Sequence, residues 1–274
     1  MSDISTPDAP HEGENPAGFR RLSVADAGAE TPGGFPFTIA APSFVLPAGA
    51  AENARFLADF FPEISLLFFE TDACLGYTGR DLPADLARLP VSWHVHLPLD
   101  LPWQDGLDVG WRAIEGLVGK AAFLSPRRYV LHPPASPAFL VPLAQRFRDA
   151  GVDPSRVLLE NVEETDLCAF WPEARDSGFG ACLDLGHVLA YGQDAVLDLP
   201  GLWEETDMLH VNAPGEGGRH ESLSRLDERG RELLRFALER FTGDTVTLEI
   251  FNERGLFESL ELLGKWMALW KNRP

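Results

Sequence analysis

The feature that most limits how this chain can fold is an alternation, repeated eight times, of a short β-type apolar run with a stretch of helical texture. The runs fall at 37–41, 64–70, 91–96, 128–132, 157–161, 180–184, 208–212 and 246–250, and the clearest helical patterns at 51–61, 111–123, 140–150, 228–241 and 257–270. Strands joined by helical crossovers signal a parallel sheet. Eight such units predict an α/β chain closed into a (β/α)8 TIM barrel. An open doubly wound sheet shows similar local patterns, but it gathers its site at one switch point. Here the runs from the third to the eighth all carry a metal-competent side chain at or near their C-terminal end, which favours the barrel.

The rest of the chain bounds the setting. At 274 residues and 45% hydrophobic it can bury one large core, so we expect one domain at 36–272 behind a flexible tail at 1–35, which is rich in Pro, Gly, Ala, Asp and Glu. A net charge of −19 opposes binding to a polyanion, because nucleic-acid affinity comes from Lys and Arg that release counterions. Cys74, Cys168 and Cys182 lack C-x-x-C spacing and read as reduced, buried packing residues. The N-terminus lacks the basic and apolar regions of a signal peptide, and no apolar run approaches the ~20 residues of a membrane span. These features predict a soluble, cytoplasmic protein with neither nucleic acid nor membrane as partner.

Seven side chains carry the chemistry: His96, His132, Glu160, Asp184, His187, His210 and Glu249. In Trp93-His-Val-His96 the period of two puts His94 and His96 on one face, so either could enter the barrel mouth, the other then packing or supporting. His132 ends the fourth run; alone it reads equally as a satisfied loop histidine. Glu160 follows Val-Leu-Leu, and a carboxylate buried there is costly unless paired or bound to a metal. Asp184 and His187 span a strand-to-helix turn, where the plain alternative is a helix cap and a surface histidine. His210 and Glu249 repeat the pattern of a polar group within an apolar strand. Mixed oxygen and nitrogen donors suit Zn²⁺ or Mn²⁺ better than a thiolate site. Glu70 ends the second run and either binds substrate or pairs within the mouth. Trp93, Trp103 and Trp203 form either an apolar wall for a flat ligand or ordinary packing.

The segments Leu-Glu160-Asn, Cys-Leu-Asp184-Leu-Gly-His187, Leu-His210-Val-Asn and Gly-Arg219-His220-Glu-Ser-Leu resemble the xylose isomerase-like and apurinic endonuclease superfamily of metal-dependent TIM barrels, over roughly residues 37–270. In the endonuclease branch the positions matching His96, His132 and Glu160 hold one metal. Those matching Glu160, Asp184, His210 and Glu249 hold a second, with the glutamate bridging. A third uses the position of His187 and an Asp-x-His pair, which here reads Gly218-Arg219-His220, so the resemblance implies two divalent ions, Zn or Mn. At the level of the whole chain, the segments 40–49, 67–75 and 92–103 resemble the cobamide-remodelling phosphodiesterases. That resemblance implies hydrolysis of the nucleotide-loop phosphodiester of a cobamide to cobinamide phosphate and an α-riboside, in corrinoid salvage.

Two ions about 3.5–4 Å apart suit in-line attack of water on phosphorus. On this reading Glu160 bridges, Glu249 or Asp184 orients the attacking hydroxide, and Arg219 or His220 donates to a phosphate oxygen. Glu70, His94 and Trp103 are then contacts for the corrinoid. The same tetrad of Glu160, Asp184, His210 and Glu249 also satisfies a single-metal sugar isomerase or epimerase, against which His96 and His132 count. A non-catalytic corrinoid-binding protein is the remaining alternative.

Overall fold

Eight strands close into a parallel barrel in the computed structural model, which describes residues 34–165 and 167–271. In chain order the elements are β1 (Thr38–Pro42), α1 (Ala50–Leu57), β2 (Glu63–Leu67), α2 (Thr71–Leu75), β3 (Ser92–His96), α3 (Leu107–Ala121), β4 (Tyr129–Leu131) and α4 (Leu140–Asp149). There follow β5 (Val157–Glu160), α5 (Leu167–Ser177), β6 (Gly180–Asp184), α6 (Leu185–Tyr191), α7 (Leu202–Glu205) and β7 (Thr206–Val211). A short hairpin of β8 (Ala213–Pro214) and β9 (His220–Glu221) precedes α8 (Glu228–Arg240), β10 (Thr245–Leu248) and α9 (Glu253–Lys271). Around the barrel the order is β1-β10-β7-β6-β5-β4-β3-β2, so first and last strands meet, with Thr38 opposite Thr245.

Alternation along the strands separates two cores. In β3, Trp93 and Val95 pack outward with the helices, while His94 and His96 point inward. The outward residues join one large apolar cluster; Val130, Leu158, Cys182 and Met208 form a second, small one inside the barrel. Each expected strand is present, although β2 stops at Leu67, short of the expected residue 70. The expected tail at 1–35 lies outside the described residues except for Gly34 and Phe35. Phe35 is buried against Phe37, with ring centroids 5.7 Å apart, so packing begins one residue before the expected boundary. All three cysteines are free; Cys74 and Cys182 are buried, but Cys168 is only half-buried, on the flank of α5. Among the described residues no helix is long and apolar enough to cross a membrane.

The N-terminal end of the barrel is tied by charge. Glu63 accepts from Ser92 Oγ at 2.8 Å and faces His94 Nδ1 at 2.7 Å. Arg127 and Arg128 both reach Asp244, at 2.6 and 3.0 Å, and Arg128 also reaches Asp207 at 3.2 Å. The opposite end, where the strands finish, is left to a different set of side chains.

Candidate metal centre

Glu160 is the hub of that end. The last residue of β5 and fully buried, it places Oε2 3.1 Å from His96 Nε2 and 3.0 Å from His132 Nε2, and Oε1 3.0 Å from His210 Nδ1. Glu249, just past β10, lies 3.6 Å from His96, 3.3 Å from His210 and 3.2 Å from His220. Donor atoms thus gather in overlapping groups, each within 4.8 Å, among them His96, His132 and Glu160; Glu160, Asp184, His210 and Glu249; and a third of Asp184, His187 and His220. The third group forms without the aspartate missing at Gly218, because Asp184 faces both histidines.

The surrounding hydrogen bonds fix how these donors are presented. A carbonyl oxygen only accepts, so the Nδ1 atoms of His96 and His187 donate to Leu97 O at 3.0 Å and Asn161 O at 2.8 Å. That leaves Nε2 of each ring with its lone pair free. His220 Nδ1 similarly donates to Glu249 O at 3.1 Å. Asp184 caps α6, its Oδ1 accepting from His187 N at 2.7 Å and its Oδ2 from Asn212 Nδ2 at 3.0 Å. Asn161 receives Asp184 N at 2.8 Å and donates to Asp184 O at 3.0 Å, locking β5 to β6. Gly186 makes room for this: a Cβ there would lie 1.9 Å from Asn212 Oδ1.

This donor set fits a divalent cation. With Nδ1 committed to Leu97 O, a neutral His96 turns a lone pair on the carboxylate oxygens of Glu160 and Glu249, and acceptor facing acceptor requires a proton or a metal between them. His132 turns Nε2 and His210 turns Nδ1 on the same Glu160 carboxylate, each at 3.0 Å. Without metal, the carboxylates around them favour the charged forms of His187, His210 and His220 despite burial. Burial opposes ionisation of Glu160, yet His210, His132 and His96 hold its carboxyl well below the usual range. Burial likewise opposes charging of His220, yet Glu249, with Asp184 and Glu160 behind it, raises its pKa to about 9. Burial pushes Asp184 up despite His187 and His220. Cys182 Sγ lies within 4.8 Å of donor atoms of Glu160 and His210, but burial pushes its thiol up to about 12, so it stands there as a neutral filler.

A cleft of ≈ 380 Å³ opens over the cluster, with His96, His132, Glu160, His187, His220 and Glu249 in its floor. A second lobe of ≈ 430 Å³ meets it at His132 and is walled by Trp103. Trp103 packs against α3, where a Cβ on Gly110 would lie 2.4 Å from its ring. The other expected contacts lie elsewhere. His94 is fully buried one inward position below His96 and bound to Glu63, because period two selects a face and not a depth. Glu70 is exposed beyond the end of β2 and lines neither lobe. Arg219 is exposed on the β8–β9 loop and lines an adjoining lobe of ≈ 290 Å³ with His187 and His220, while of the pair only His220 also lines the cleft itself. Trp93 packs outward, and Trp203 packs on Phe236 with centroids 6.0 Å apart, so neither forms a ligand wall.

No family model and no curated protein matches the chain in sequence. Solved structures do match its fold. A D-tagatose 3-epimerase-like protein superposes with a TM-score of 0.65 at 18% identity, over 85% of this chain and 97% of that one. Endonuclease IV from Thermus thermophilus gives 0.64 at 18%, over 85% and 99%. The IolI protein, solved with a bound zinc atom, gives 0.65 at 12%, over 86% and 100%. The chain has the same closed TIM-barrel fold as these proteins. That fold is shared by proteins of different named activities, so the choice between them falls to the side chains.

Proposed function

We propose that the protein is a metal-dependent phosphodiesterase acting on the nucleotide loop of cobamides. The observation that carries the hydrolytic reading is the second donor group. His96 and His132 meet Glu160 at Oε2, while His210 of the tetrad meets it at Oε1, so one carboxylate serves two adjoining sets. A proton-shuttling isomerase needs only the tetrad. The cobamide rests on the resemblance of segments 40–49, 67–75 and 92–103, and the acidic chain supports a small diester over a nucleic acid.

The first group and the tetrad would hold one ion each, Zn or Mn, and a bound pair supplies Lewis acidity, an acidified water and charge neutralisation at phosphorus. The protein does the positioning. Glu160 ties the two groups together from the rigid end of β5. Both oxygens of Asp184 already accept hydrogen bonds, from His187 N and Asn212 Nδ2, whereas Glu249 Oε2 is faced only by the imidazoles of His210 and His220, at 3.3 and 3.2 Å, so Glu249 is the carboxylate we assign to orienting the attacking water. His220 lines the cleft beside Glu249 and is the side chain we assign to donating to a phosphate oxygen or the departing alkoxide.

Mass spectrometry after anaerobic, reducing incubation with adenosylcobalamin tests this. Metal-loaded protein is expected to release α-riboside and cobinamide phosphate, and chelated protein to release neither. Unchanged cobamide with metal bound moves the single-metal sugar epimerase to first place, a reading favoured by the assembled tetrad alone and testable by epimerisation of ketohexoses. Glu160→Gln is expected to lower turnover by about 10³-fold or more with the circular dichroism spectrum retained, since it removes the charge both groups share. Full activity in that variant sinks the scheme.

A further inference from the structure

We propose that Phe44, Phe69 and Phe251 form a specificity wall that receives a flat apolar group attached to the phosphate of the substrate, an inference that rests on the phosphate-ester reading above. The three residues follow β1, β2 and β10, which are neighbours around the barrel, so their loops bring three rings to one side of the mouth. The rings meet edge to face, with centroids 4.5 Å apart for Phe44 and Phe69, 5.8 Å for Phe69 and Phe251, and 6.5 Å for Phe44 and Phe251.

Their exposure is what the fold alone leaves unexplained. Phe44 is 45% exposed and Phe69 43%, and Leu99, 52% exposed, lines the same cleft as Phe69 and Phe251. Single exposed apolar side chains are ordinary, but a contiguous set at the mouth of a barrel marks a surface kept for a ligand. The wall is also joined to the donor cluster. The Phe251 ring lies nearly parallel to the His220 imidazole, 5.1 Å away and at 23°, and His220 in turn binds Glu249. A planar group laid on the rings therefore has its phosphate within the reach of the cluster. A small polyol presents hydroxyls on all sides that these rings cannot satisfy. Among the described residues no Lys or Arg lines the cleft, and Arg219 lines an adjoining lobe that none of the three phenylalanines lines, so the wall itself selects by shape and apolar contact rather than by charge.

Affinity, read by calorimetry on metal-loaded protein, tests this without turnover. 1-Naphthyl phosphate is compared with inorganic phosphate in the unsubstituted protein and in Phe44→Ser/Phe69→Ser, with hydrolysis of bis(p-nitrophenyl) phosphate and the unfolding midpoint read alongside. Both rings are exposed, so the double variant is expected to keep its midpoint. The naphthyl ester is expected to bind at least about tenfold tighter than phosphate, and the ratio to fall by about tenfold in the double variant. Equal affinities in the unsubstituted protein, or a ratio that survives the double substitution, overturns the wall. A preserved ratio shift without any diester hydrolysis upholds the wall and sinks the phosphodiesterase reading; hydrolysis without a ratio shift does the reverse.

Discussion

At Gly186 a single hydrogen atom decides whether Asp184 is held. An added methyl would meet Asn212 Oδ1 at 1.9 Å, and Asn212 supplies the bond to Asp184 Oδ2. Gly186→Ala is expected to weaken metal affinity by about 10–100-fold, the usual effect of losing a residue that orients a ligand, and a titration with Zn²⁺ or Mn²⁺ measures it. His220 contributes, with His187 and His210, to the pH response of the metal-free protein. Its folded pKa, about 9, lies above the unfolded value near 6.5. Its contribution is therefore full below pH ~6.5 and lost as pH rises through ~9, about 3 kcal/mol at most. Urea unfolding of chelated protein at pH 6.5 and 9.5 should show the loss, and His220→Gln should reduce it. Six of the seven donors were legible because each is a polar group at or near the end of an apolar run, and His187 because it follows Asp184 across a strand-to-helix turn. Glu63 was missed: it begins a strand, and only its alternation with Ile64 and Leu66 hints that it faces inward. The exposed phenylalanines were missed because Phe44, Phe69 and Phe251 each look, in sequence, like one more core residue.

At the scale of elements, loops are held to helices by buried side-chain amides. Asn53 of α1 is fully buried, accepts from Val45 N at 2.7 Å and Leu46 N at 2.8 Å, and donates to the carbonyls of Leu46, Ala48 and Gly49. It thereby fixes the turn that follows Phe44. Asn53→Ala is expected to cost about 2–4 kcal/mol, since it leaves several buried backbone groups unpaired, and thermal unfolding measures it. Apolar periodicity placed α4 and α8 in sequence to within a residue, whereas the longer α3 and α9 each begin four residues before the expected start. The short ones were not placed. α2 and α7 have five and four residues, too few to show a period, and α5 carries Pro172 within it. The Gly-rich loop of the β8–β9 hairpin gave no sign of which side chain it would turn inward, so Arg219 and His220 could not be told apart.

Across the whole molecule the two ends of the barrel do different work. The cluster of Arg127, Arg128, Asp207 and Asp244 lies at the end where strands begin, away from the cleft. Arg128→Met is expected to destabilise the fold by about 1–2 kcal/mol while leaving metal stoichiometry unchanged, read by unfolding and by elemental analysis. Equal loss of both would show that the ends are not independent. The barrel itself was legible because eight strand-and-helix units were countable, whereas the depth of a side chain inside it depends on register between strands, which a single strand does not carry. Closure has a further consequence for how the protein is made. Glu249 lies just beyond β10, the last strand, which must pair with β1 near the other end of the chain. During synthesis the first seven strands emerge with six of the donors but without this carboxylate and without the seam that draws the ring together. Full chelating power therefore arrives only when the C-terminal segment is released, so a prematurely terminated product would have no complete tetrad with which to sequester metal.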